Sequence, residues 1–146
     1  MSKIMKTGLP FIAAAALLGQ WAHAAPQAAH ATHSAQAPQA VVTALMNKDL
    51  PDIPGKDAVM IIVDYPPGAA DPVHRHDAYS FVYVLEGSIV MQVKGGKEVT
   101  LTAGQTFYEG PDDIHTVGRN ASQTEPAKFL VVLIKKQGAP ILTPLE

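Results

Sequence analysis

The chain has 146 residues, 47% apolar and 16% charged, with 12 Pro and 11 Gly, which suits one domain of many short elements joined by turns. Cysteine is absent, excluding disulfides, thiolate metal sites and a thiol nucleophile. A formal net charge of −2 without a basic block gives no reason to expect nucleic acid as a partner.

Taken in chain order, Lys3 and Lys6 precede the apolar run Leu9–Leu18, which is followed by Gly19-Gln20-Trp21 and then Ala22-His23-Ala24. A positive start, a short apolar core and an A-x-A site describe a secretory signal peptide cleaved after Ala24. The run is too short for a membrane span, which needs about 20 apolar residues. Residues 1–24 are therefore expected to direct export to the periplasm or the exterior, with no stable membrane anchor after cleavage. Without Lys3 and Lys6 the mature chain carries 9 Lys and Arg against 13 Asp and Glu, a net charge of −4. Residues 25–40 are rich in Ala, Gln and Pro without hydrophobic period and read as a flexible tether. His30 and His33 lie in it and read as solvated side chains.

From Val41 onward, short apolar runs alternate with Pro and Gly. Ala44–Leu50 is expected to form one helical turn before Pro51. The predicted strands are Ala58–Tyr65, Ser80–Leu85, Ser88–Lys94, Lys97–Leu101, Thr106–Tyr108, His115–Gly118 and Lys128–Lys135. Gly95-Gly96 between two of them signals a hairpin with a two-residue turn. This spacing points to an all-β sandwich or barrel, read here as a single small barrel over residues 41–146.

Three histidines fall in that domain: His74, His76 and His115. His74 and His76 are two residues apart in an extended segment, so their side chains share a face with Cα atoms about 6–7 Å apart. Two imidazoles so placed can converge on one ion, and neutral imidazole suits Zn, Fe, Ni and Cu.

The stretch from Gly68 through His74, His76 and Ser80 to Gly87 resembles the first motif of the cupins, G-x5-H-x-H-x3-E-x6-G. Gly104, Pro111, His115 and Asn120 loosely resemble the second. The resemblance implies an antiparallel jelly-roll (cupin) β-barrel with a metal inside, held by two His and a Glu from the first motif and one His from the second. By position the ligands are His74, His76 and His115, and Ser80 stands where the family has Glu. The implied cofactor is one divalent transition metal (Fe, Mn, Zn, Ni or Cu). Three neutral imidazoles would leave the site near 2+ with open positions, favouring anionic bidentate ligands. The pattern places neither Asp77 nor Glu109 inside the barrel.

Tyr79, Phe81, Tyr83, Phe107, Tyr108 and Phe129 read as core or rim packing, with Tyr79, Phe81 and Tyr83 on the face opposite Ser80. Asn120-Ala121-Ser122 formally matches a glycosylation sequon. Two functional readings stand: a mononuclear metalloenzyme (dioxygenase, isomerase or lyase) acting on a small polar or anionic molecule, and a non-catalytic module binding a small molecule or metal. Val41–Leu45 and Ile141–Leu145 are apolar flanks that need cover, so a homodimer is expected.

Overall fold

The computed structural model describes residues 38–145; the expected signal peptide, and the expected tether as far as residue 37, lie outside them. Ten strands follow in chain order: β1 (Val41–Asp49), β2 (Lys56–Tyr65), β3 (His74–Arg75), β4 (Ala78–Glu86), β5 (Ser88–Val93), β6 (Val99–Thr102), β7 (Thr106–Glu109), β8 (His115–Asn120), β9 (Ala127–Lys136) and β10 (Thr143–Pro144). They form two antiparallel five-stranded sheets, ordered β1-β2-β9-β4-β7 and β10-β3-β8-β5-β6. Residues alternate in and out along β2, β4 and β9, as the period of two requires. Their inward sets include Ile61, Val63, Val82, Phe129 and Val131, which pack with Ile89 and Met91 of the second sheet.

All seven predicted strands are present within a few residues of their expected ends. The helical turn at Ala44–Leu50 is not: all of this segment but Leu50 belongs to β1, paired with β2 from Val41↔Asp64 to Asp49↔Asp57. The ladder bonds offered by β2 outweigh a weak local helix signal. The hairpin at Gly95-Gly96 exists, with Gly95 at φ 83°, but β5 ends at Val93 and β6 begins at Val99, so its loop is longer than two residues. Ile141–Leu145 folds back on its own barrel, where β10 pairs with β3. Ala40, at the end of the expected tether, packs against the core.

One glycine and one buried polar side chain are structural. Gly87 has φ 69°, and a Cβ there would lie 2.4 Å from the Pro126 carbonyl oxygen, so only glycine lets β4 turn into β5. The buried Asn120 amide donates to the carbonyls of Tyr65, Pro66 and Glu125, while its oxygen accepts from the Ser122 amide. That side chain ties three segments together and is not presented to a glycosylating enzyme, despite the sequon. Tyr79, Phe81 and Tyr83 do point away from Ser80, but they are 42–47% exposed and pack in no core.

Candidate metal centre

The three histidines converge at one end of the space between the sheets. His74 and His115 are brought together by register, as direct partners between β3 and β8. His76 follows β3, and Asp77 beside it takes φ 49°, bending the chain toward β4. The His74 Nδ1 lies 2.8 Å from the Pro72 carbonyl oxygen, and the His76 Nδ1 lies 2.7 Å from that of Ile141. A carbonyl only accepts, so each Nδ1 carries the hydrogen and each Nε2 of the neutral ring presents a lone pair. Those two Nε2 atoms are 3.2 Å apart, and the His115 Nδ1 is 3.3 Å from the His74 Nε2. Two lone pairs at that separation repel unless a proton or a cation sits between them.

A fourth group completes the cluster. Glu109, 2% exposed, ends β7 and points inward, with Oε2 3.4 Å from the His115 Nδ1 and 3.7 Å from the His76 Nε2. That oxygen is buried without a hydrogen-bond partner. The sequence pattern gave Glu109 no place in the barrel, and its signal was hidden in strand pairing. Glu109 is the direct cross-strand partner of Ser80, so the carboxylate absent from β4 is supplied from the same site by the next strand. Ser80 itself is fully buried with an unpartnered hydroxyl.

The ligand atoms of His74, His76, Glu109 and His115 all lie within 4.8 Å of one another. Four ligands at 2.1 Å around one tetrahedral ion would stand about 3.4 Å apart, so the set could hold a divalent metal once its widest pair, up to 4.8 Å apart, draws in by about 1 Å or slightly more. The set offers three neutral nitrogens and one carboxylate, giving a site near 1+ rather than the 2+ expected from three histidines alone. Asp77 instead pairs with Arg75 at the surface.

Electrostatics agree with a site awaiting positive charge. Burial, with the Asp113 and Asp71 carboxylates adding to it, pushes the Glu109 carboxyl up to about 7. Burial, followed by His74 and His76, pulls His115 down to about 3. Burial also lowers His76, against the raising effect of its bond to Ile141. The His76 and His115 rings are thus favoured in the neutral form that a ligand needs.

The cluster opens onto a cavity of about 390 Å³ whose wall is mostly apolar, including Val42, Val63, Met91, Phe129 and Ile141. Its polar wall besides the cluster is Ser80, Tyr65 and Asp71, with the Tyr65 hydroxyl donating to Asp71 Oδ2. Burial raises both groups, and the hydrogen bond partly offsets this at Asp71. Gly118 makes room for them: a Cβ there would lie within 3.2 Å of His115 Cε1, Asp71 Oδ2 and the Tyr65 hydroxyl at once. The Tyr65–Asp71 pair was not singled out in the sequence because its partners lie on separate elements.

A search among curated proteins found no match. Among solved structures, a cupin domain from Bordetella pertussis tohama i is 22% identical with TM-score 0.54, covering 68% of this chain and 97% of that one. DMSP lyase DddQ from Ruegeria pomeroyi DSS-3 is 20% identical with TM-score 0.52, over 60% of this chain. An oxalate oxidase in complex with the substrate analogue glycolate is 25% identical with TM-score 0.53, over 71% of this chain. The chain spans 42% of the lyase and 54% of the oxidase. The cupin-domain family model matches residues 61–133, a segment running from β2 to β9 and containing all four cluster residues, and the chain belongs to the cupin family.

Proposed function

We propose that this protein is an exported mononuclear metalloprotein that holds one divalent transition metal on His74, His76, His115 and Glu109 and acts on a small oxygen-bearing molecule in the adjoining cavity. The observation that carries the reading is the pair of Nδ1–H groups committed to the Pro72 and Ile141 carbonyls, which turns two Nε2 lone pairs onto one point. Such carbonyl partners fix tautomer and ring orientation in metal-binding histidines. A metal there would act as a Lewis acid on a ligand oxygen. The apolar wall would hold the ligand's carbon body and exclude water, while Tyr65, backed by Asp71, would offer a hydrogen bond to its polar end. The likeness to an oxalate oxidase that binds glycolate supports small hydroxy or keto acids as the ligand class.

A non-catalytic cupin using the same cavity only for binding is the second reading, favoured by the apolar character of most of the wall. Metal analysis of untagged protein tests the site: about one equivalent per chain is expected, lost in His115→Ala and kept in His30→Ala/His33→Ala. Retention in His115→Ala would overturn it. Turnover of a hydroxy- or keto-acid panel by the metal-loaded protein separates the two readings. The proposed export rests on the pattern of residues 1–24, and an intact mass beginning at Ala25 in the native host tests it.

A further inference from the structure

The outer face of the β1-β2-β9-β4-β7 sheet is apolar across all five strands. Register aligns one row as Met46, Met60, Val132, Phe81 and Tyr108, and a second as Thr43, Ile62, Leu130, Tyr83 and Thr106. Ala58, Ile134 and Tyr79 add a third row. In these rows Met46, Phe81, Tyr83, Tyr79 and Tyr108 are 42–50% exposed. An aromatic side chain carries about 150–250 Å², so with the half-buried aliphatics the patch is on the order of 600 Å². Monomers rarely present a contiguous apolar area so large without a use for it.

The ends of the sheet carry charge of opposite balance. At one end Lys56 and Lys136 are direct cross-strand partners, with Lys48 beside them on the outer side. Like charges directly opposite are destabilising, and among the described residues none of these three lysines makes an ion pair. At the other end stand Asp64, Lys128 and Glu86 in register, two carboxylates to one amine.

We infer that this face is a two-fold interface between copies of this chain, with the axis across the strands, so that each lysine end covers the partner's Asp64–Glu86 end. An axis along the strands would set lysine end on lysine end. Two such patches bury roughly 1,200 Å² in total, within reach of a stable interface, and aligned sheets pack face to face by interleaving such rows. This surface lies on the side of the sheet away from the metal cluster and differs from the flanking edges expected from sequence.

The test is sedimentation and native mass measurement of the full chain at micromolar concentration, with thermal melts of every variant. The wild type should be a dimer. Phe81→Glu, at the centre of the patch, should be a monomer with an unshifted monomer melt, because the side chain points to solvent in the single chain. Lys56→Glu/Lys136→Glu and Asp64→Lys/Glu86→Lys should each be largely monomeric alone and form a heterodimer when mixed. A monomeric wild type, a dimer that survives Phe81→Glu, or inverted chains that fail to combine would each overturn the interface. A monomeric wild type that pellets with anionic vesicles would assign the face to a membrane surface instead.

Discussion

Moving the carboxylate back to the strand where the family keeps it is the sharpest test of the metal centre. In Glu109→Ser the cluster retains three imidazoles and loses its anionic donor. Glu109 Oε2 sits 3.4 and 3.7 Å from two of the nitrogens, within a few tenths of an ångström of the spacing of about 3.4 Å between ligands of one tetrahedral ion, so it is placed to serve as a direct ligand. Loss of a partner one shell farther out costs 10–100-fold in affinity; loss of this one should cost at least about 100-fold, or about 2.7 kcal/mol. Raising the carboxyl from 4.5 to about 7 by burial corresponds to about 3 kcal/mol against the ionised form relative to water, and a bound cation would offset it. Ser80 and Glu109 are cross-strand partners, with Cβ atoms about 5 Å apart. Ser80→Glu in the Glu109→Ser background should therefore regain affinity to within about tenfold of wild type. Ser80→Glu alone, which three histidines without Glu109 would have welcomed, should now crowd two buried carboxylates and lower the melting temperature of the metal-free chain. A competition titration with a chelator reads all four proteins. Unchanged affinity in folded Glu109→Ser, or a double variant as weak as the single, would refute the arrangement.

Three further outcomes follow from buried groups. Gly118→Ala should weaken metal binding about tenfold by pressing on His115, Tyr65 and Asp71, read in the same titration; wild-type affinity would show that the wall yields freely. Lys135 and Asp57 are both 4% exposed and ion-paired at 3.0 Å directly across β9 and β2; Lys135→Met should cost about 3–5 kcal/mol in denaturant unfolding, and Asp57→Leu/Lys135→Met should recover most of it. His115, lowered to about 3, and His76 bind fewer protons folded than unfolded, so metal-free stability should fall as pH drops from 6.5 toward 3. Glu109 works the opposite way between about 7 and 4.5, so the decline should steepen below pH 4.5; unfolding free energies that stay level from pH 6 to 4 would contradict this.

The strands of the barrel were legible because each is a short alternating run bounded by Gly or Pro, and burial on one face enforces that period. What failed was local. Ala44–Leu50 has a helical look, yet β2 offers it a full ladder, and pairing is a property of two segments that one segment cannot display. The outward aromatics of β4 show the same limit from the other side. Alternation correctly set Tyr79, Phe81 and Tyr83 apart from Ser80, but it carries no information on whether a second layer covers them.

The centre was half legible for a related reason. His74 and His76 are close in sequence and form a motif, and His115 anchors the second motif, so all three could be read along the chain. Glu109 could not, because its claim on the site rests on lying opposite Ser80 in the β4–β7 pair. Chemistry constrains where a charge stands in space, and a sheet offers two strands from which one point can be reached. Loss of the carboxylate at Ser80 thus need not empty the site, since a one-for-one exchange across the ladder keeps the donor set, the net charge near 1+ and the buried volume nearly constant. Only the order of the residues along the chain changes. Read alone, Ser80 argues for a weakened centre with an open position; read with its cross-strand partner Glu109, it leaves a carboxylate on the same spot, supplied from the neighbouring strand.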